Sequence, residues 1–271
     1  MAKAVSTSLV VKPGKHADLR GRDPGDRLGM ADKAVGVQQL EALTERLAQL
    51  QNRLWAESAR SVLLVLQGLD ASGKDGAIRR VFTGVNPQGC RIVSFKVPTG
   101  EEPAHDYLWR VHRACPPRGD LGIFNRSHYE DVVATRVPPK IDDATAAHRY
   151  RHIREFERML NDEGTTVLKV FLHLSNDEQR KRLQERLDDP AKNWKFQKAD
   201  LDARGHWHEF QRIYEEVLTE TSTEWAPWHV APADHKWVRD VAIAGLLVEV
   251  LDRLDPKVPP SDPGLEDILV T

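Results

Sequence analysis

The spacing Gly68-x-x-x-x-Gly73-Lys74-Asp75 carries the most specific chemistry in this chain. Glycines let the backbone turn tightly, so that successive N–H groups from Ser72 to Gly76 converge on phosphate oxygens, and Lys74 adds a point charge. Gly68, Ala71, Ser72, Gly73, Lys74, Asp75 and Gly76 are the candidate phosphate-holding residues. Asp70 lies inside the loop, and Asp75 stands where such loops usually carry Ser or Thr. Two carboxylates beside bound phosphate need a cation, and magnesium suits hard oxygen donors. A glycine-rich turn capping a helix would have the same spacing and no ligand. The flanks favour the phosphate loop: Val62-Leu63-Leu64-Val65-Leu66 reads as a strand, and Ala77-Ile78-Arg79-Arg80-Val81-Phe82 as a helix.

A second constellation, Asn125-Arg126-Ser127-His128-Tyr129-Glu130-Asp131, follows the apolar run Leu121–Phe124. Phosphoryl-transfer folds usually place a metal-orienting acid at such a strand end, and here the residue is Asn125. An amide oxygen ligates magnesium weakly, so Glu130 or Asp131, one helical turn on, could supply the carboxylate. Asn125 also suits a plain helix cap. Arg126 can neutralise charge on a phosphoryl group in flight.

The third constellation lies between Gln179 and Lys198, where seven basic residues stand against three acidic ones. Such a run is often only a solvated helix face. This one directly follows the β-type run ending Leu172-His173-Leu174-Ser175, where nucleotide kinases carry mobile basic lids. Pro190 suggests a hinge, and Trp194 and Phe196 suggest packing anchors. Other candidates are weaker. His148 and His152 have i, i+4 spacing, but neighbouring arginines would repel a metal, and His206-Trp207-His208 lacks a third ligand.

Several elements must position these groups. A helix over Val37–Arg60, with leucines at 40, 43, 47, 50 and 54, leads into the first strand. Further β-type runs at Arg91–Phe95, Leu121–Phe124, Thr166–Leu174 and Trp228–Ala231 alternate with helical stretches, which predicts a parallel α/β sheet of about five strands. Ligands of such sheets bind at the carboxyl ends of the strands. The last helix, Trp237–Leu254, is apolar enough to be buried on more than one face. Residues 1–35 read as an extended arm over the body, 36–255 as the main domain with a lid at about 178–200, and 256–271 as a tail.

Composition narrows the function. The 271 residues suit one large domain, and a net charge of −2 gives no global pull toward nucleic acid or membrane. Cys90 and Cys115 lack disulfide-framework or zinc spacing, which fits a reducing cytoplasm. No run approaches the length needed to span a bilayer.

Together, Gly68-Leu69-Asp70-Ala71-Ser72-Gly73-Lys74-Asp75-Gly76, Phe124–Asp131 and Asp189-Pro190-Ala191-Lys192-Asn193-Trp194-Lys195-Phe196 resemble the polyphosphate kinase 2 family. Arg91–Thr99 and His105–Arg110 match its pattern as well. The resemblance spans roughly residues 35–255. It implies a three-layer P-loop kinase fold similar to thymidylate kinase, with a helical lid, and magnesium-dependent, reversible phosphate transfer between inorganic polyphosphate and nucleotides. Asn125, His128 and Glu130 resemble the third class, whose members accept nucleoside mono- and diphosphates. The resemblance carries the family's metal-carboxylate role over to Asp70 and Glu130, and with Lys74, Arg126 and Arg186 these are the expected catalytic residues. Arg182, Lys192 and Lys195 are expected at the polyphosphate chain, and Lys96, Asn125, Arg126, His128 and Glu130 at the nucleotide. Asp70, Asn125 and Glu130 are the expected metal set, and a homo-oligomer, dimer or tetramer, is expected. Two alternatives stay open: an ATP-dependent nucleoside monophosphate kinase, and a non-catalytic nucleotide- or polyphosphate-binding regulator.

Overall fold

Alternation along the strands builds the core. In β1 (Ser61–Gln67), where every residue is buried, Leu63 and Val65 point to one side of the sheet and Val62, Leu64 and Leu66 to the other. The structure, a computed structural model, describes residues 7–137, 139–264 and 268. Its sheet has five parallel strands in the order β2 (Cys90–Ser94), β3 (Leu121–Asn125), β1, β4 (Thr165–His173), β5 (Trp228–Pro232).

Helices cover both faces. On one pack α1 (Lys33–Glu57), α2 (Lys74–Val81) and the C-terminal helix Lys236–Leu254; the other is covered from the segments Trp109–Ala114 (α3), Glu130–Val133 (α4), Asp143–Asp162 (α5) and Trp207–Thr221. Helix α6 (Asn176–Asp188) leaves the end of β4, and α7 (Lys198–Gly205) precedes Trp207–Thr221, which is α8; Lys236–Leu254 is α9. This is the expected three-layer arrangement. Local caps set the helix starts: Asp32 accepts from Val35 N at 3.0 Å, Asp142 from Thr145 N at 2.8 Å, and Ser175 from Glu178 N at 3.2 Å.

The arm lies over the body. Val10 forms an antiparallel bridge to His229, and Val11 N donates to Trp228 O at 2.8 Å. Arg22 gathers the strap by donating to the carbonyls of Ser8, Leu9, Val10 and Ala17. With Asp32 as cap, α1 begins at Lys33, inside the span assigned to the arm. Of the expected tail, Pro256 is buried and 257–264 are exposed, while 265–267 and 269–271 lie outside the described residues, as do 1–6 of the arm. Among the described residues no helix is long and apolar enough to cross a membrane.

Candidate active site

The chain reverses at Gly68, where β1 ends, in a backbone shape that only glycine takes easily. Gly68 has φ +151°, and a Cβ there would sit 2.9 Å from the Leu172 carbonyl; Gly73 has φ +95°, and a Cβ would collide with the Arg239 guanidinium. The loop's own carbonyls are tied down from behind. Arg182 donates to Ala71 O (3.1 Å) and Ser72 O (3.2 Å), and to Ala233 O (2.6 Å) and Asp234 O (2.8 Å) after β5; Arg239 donates to Ser72 O at 3.2 Å. Gln179 donates to Asp70 O at 3.0 Å. These contacts leave the loop shaped before any phosphate arrives.

Lys74 lies within the loop, its ammonium 2.6 Å from Gly68 O and 3.3 Å from Leu69 O. Burial pushes its pKa down to about 8, helped by Arg126 and opposed by Asp70, Glu130 and Asp75.

Arg126 is the hub of the site. It follows β3 with φ +62°, an uncommon conformation for a residue with a Cβ, and its backbone N donates to Leu66 O at 3.1 Å. Its guanidinium meets Asp70 Oδ1 at 2.6 Å and Glu130 Oε2 at 3.5 Å. Burial acts to lower its pKa, but Glu130 and Asp70 outweigh this and raise it. Glu130 is held above the usual carboxylate range by burial, against Arg126 and Lys74. Gln67, with its amide turned to satisfy both ends, donates to Glu130 Oε1 at 3.0 Å.

The structure thus brings together Asp70, Lys74, Arg126 and Glu130, with Asn125 donating to Asp75 Oδ1 at 2.6 Å on α2. The donor chemistry suits a hard cation: Asp70 and Glu130 offer oxygens on two sides of one guanidinium, and such ions are commonly held by one or two carboxylates plus substrate phosphates. Asn125 donates to Asp75 through its amide nitrogen and so clamps the loop acid, while the atom expected to ligate a metal is its amide oxygen. Among the described residues, the cluster of three His, Asp and Glu side chains with ligand spacing is His16, Asp18 and Glu215, which contains none of the loop acids.

Three residues have surroundings that their expected roles do not describe. Arg182, expected to guide polyphosphate, is 5% exposed, and its guanidinium is committed to loop carbonyls and to Glu178 (2.8 Å). His128, expected at the nucleotide, is 1% exposed and faces Glu157 at 3.3 Å behind the site. Trp194, expected to pack, is 77% exposed on the turn Asn193–Lys195. Beside that turn Lys192 pairs with Asp189 at 2.6 Å, and Lys195 lies over the Trp194 ring. Arg186 meets Asp200 at 3.6 Å, and burial raises the Asp200 carboxyl with Asp70 adding to the effect, so α6 and α7 face the same site.

Lys96 lines a cavity of about 540 Å³ at the end of β2, with Arg91, Phe95, Thr99, Trp109 and Arg113. Trp109 lies in the His105–Arg110 match, which gives it no role, and sequence reasoning missed Gln67, Gln179 and Arg239. Only Arg239-Asp240, a charged pair at the head of an apolar helix, was a visible signal.

The family model for polyphosphate kinase 2 matches residues 30–259. The chain belongs to the polyphosphate kinase 2 family. Among polyphosphate kinase 2 relatives, an AMP/ADP-polyphosphate phosphotransferase of Meiothermus ruber is 51% identical over 261 residues, covering 96% of this chain and 98% of the relative. An ADP-polyphosphate phosphotransferase of Rhodopseudomonas palustris is 44% identical, covering 83% and 82%. A crystal structure of polyphosphate kinase 2 from Arthrobacter aurescens TC1 matches with a TM-score of 0.93 at 41% identity, covering 97% of this chain and 94% of that one.

Proposed function

We propose that this chain transfers phosphate from inorganic polyphosphate to AMP and to ADP, reversibly and with magnesium. The observation that carries this reading is the convergence of Asp70, Lys74, Arg126 and Glu130 on one glycine-bounded loop at the end of β1. Membership of the family supports it, as does the name of the Meiothermus ruber relative.

Phosphoryl transfer asks little covalent chemistry of a protein; it asks for in-line alignment and neutralised charge. The N–H groups of residues 72–76 and the Lys74 ammonium hold the donor phosphates. Lys192 and Lys195 guide the rest of the polyanion, whose uniform charge offers nothing else to read. The acceptor occupies the cavity at β2, with Phe95 and Trp109 against its apolar parts and Lys96, Arg91 and Arg113 toward its phosphates. Arg126 turns between the two carboxylates and the group in transfer, stabilising charge there. Asp70 and Glu130 would hold the magnesium ion, which offsets phosphate charge when bound. Closure of the turn carrying Lys192 and Lys195, with Arg186, excludes water so that phosphate passes to the nucleotide and not to solvent.

Donor choice tests the reading. Purified protein is incubated with magnesium and AMP, with either polyphosphate or ATP as donor, and the nucleotides are resolved by chromatography. ADP formed from polyphosphate supports it; phosphorylation by ATP alone would make the chain a conventional monophosphate kinase, and no turnover with either donor would favour a non-catalytic regulator.

A further inference from the structure

Behind the site lies a sealed polar cluster that the mechanism above does not use. Lys169, from the middle of β4, and Glu157, from α5, are both 0% exposed. The Lys169 ammonium donates to Glu157 Oε2 at 2.6 Å, to the Tyr129 hydroxyl at 2.9 Å and to Thr221 O at 2.7 Å. Tyr129 in turn donates to Glu157 Oε1 at 2.8 Å, and His128 Nε2 stands 3.3 Å from the same oxygen. Burial works to raise the Glu157 carboxyl, but Lys169 and His128 bring it below its ordinary range.

Stability does not explain such a cluster. Taking an ammonium and a carboxylate out of water is costly, and well-packed apolar replacements of buried ion pairs are often neutral or stabilising. A buried hydrogen-bonded network does fix one geometry, because each alternative leaves further polar groups unpaired; here the Lys169 ammonium, both Glu157 oxygens and the Tyr129 hydroxyl are paired, while His128 Nδ1 has no partner. Here the geometry fixed is that of residues 126–130. His128 and Tyr129 are locked into the interior, while the residues on either side of them, Arg126 and Glu130, face Asp70 and Lys74. Arg126 keeps a positive φ, which persists only where the surroundings enforce it.

We infer that Lys169, Glu157, Tyr129 and His128 form a positioning device that aims Arg126 and Glu130 at the transferred phosphate. The inference rests on the phosphotransfer reading for the roles of Arg126 and Glu130. It makes His128 a residue that acts on the reaction through the turn, without touching the nucleotide.

The test is the apolar replacement Lys169→Met/Glu157→Leu/Tyr129→Phe, beside Tyr129→Phe alone, in the full chain. With polyphosphate and AMP, the triple variant should melt within a few degrees of the wild type and lose at least tenfold in kcat, with both KM values within twofold. A folded triple variant with full kcat would overturn the inference. If the triple variant does not fold, Tyr129→Phe alone should lose severalfold in kcat at unchanged KM, and an unchanged kcat there would overturn it. A readout independent of turnover separates this from the functional reading. The Arg126 side-chain ¹⁵N resonance, assigned by its loss in Arg126→Ala, should be single in the wild type and broadened or split in Tyr129→Phe; an identical resonance would overturn the inference even if the protein proved not to use polyphosphate.

Discussion

The side-chain amide of Asn125 donates to Asp75 at 2.6 Å, joining the end of β3 to the first turn of α2. A carboxylate accepts hydrogen bonds and cannot donate them when ionised, so the nitrogen of Asn125 must be the end that faces it. The strand-end residue therefore orients an acid of the phosphate loop. Asn125→Asp would set two carboxylates against each other, and one of them would keep its proton to a higher pH. Below that raised pKa the protonated carboxyl still donates to its neighbour as the amide does, and above it two like charges oppose each other with no donor between them, so the variant's rate should fall as pH rises through a range where the wild type is still active. Asn125→Ala, which only frees Asp75, should lose roughly tenfold in kcat, about 1.4 kcal/mol, without that pH response. Rate profiles between pH 5 and 9 check both, and identical alkaline limbs for Asn125→Asp and the wild type would count against the clamp.

Lys74 gives a second pH prediction. Burial lowers its pKa to about 8 in the free protein, so the ammonium is present below that value and is lost as pH rises through it. kcat/KM for polyphosphate reports the free enzyme and should decline above about pH 8, whereas kcat, measured with phosphate bound beside the ammonium, should hold to higher pH. Lys74→Arg should remove the decline in whatever activity it keeps, since a guanidinium does not titrate there.

Arg182 separates a loop brace from a substrate contact. Its guanidinium bonds four carbonyls around the phosphate loop, so Arg182→Ala strands buried acceptors and should cost about 3 kcal/mol or more. The thermal midpoint should drop by roughly 6–12 °C at this chain length. A residue that merely guided polyphosphate would shift KM and leave the melt unchanged, and calorimetry distinguishes the two.

The lysines flanking Trp194 should behave oppositely. Lys192 is exposed and Lys195 is half-buried over the Trp194 ring, so their replacement by alanine should change the melt little. It should raise the KM for polyphosphate severalfold, at about 1 kcal/mol per charge-assisted contact, and move the KM for AMP much less. Added salt should weaken the wild type more than the double variant, because screening acts on charges the variant lacks.

Much of this site could be read from residue types because it depends on local chain geometry. The phosphate loop needs glycine at 68 and 73, and the parallel strands are apolar runs bounded by turns, so both leave a local signature. What the sequence hid was depth and direction. Helix α6 buries Gln179 and Arg182 beside Leu183, so its inner face is polar and its pattern looks like that of a solvated helix. His128 and Glu130 are two residues apart, yet one faces a sealed network and the other the phosphate loop, because the chain turns sharply at Arg126. No periodicity rule covers such a turn. Lys169 sits unannounced in an apolar strand, its partner Glu157 lying on a neighbouring helix.

Under the proposed function, one site phosphorylates both nucleotide levels from polyphosphate. A time course starting from AMP, magnesium and polyphosphate, with no ATP added and nucleotides resolved by chromatography, tests it most directly. ADP should rise first and then decline as ATP accumulates, with polyphosphate consumed in step with the phosphates gained. Accumulation of ADP with no ATP, or no change in AMP while ADP alone is accepted in a parallel reaction, would contradict it.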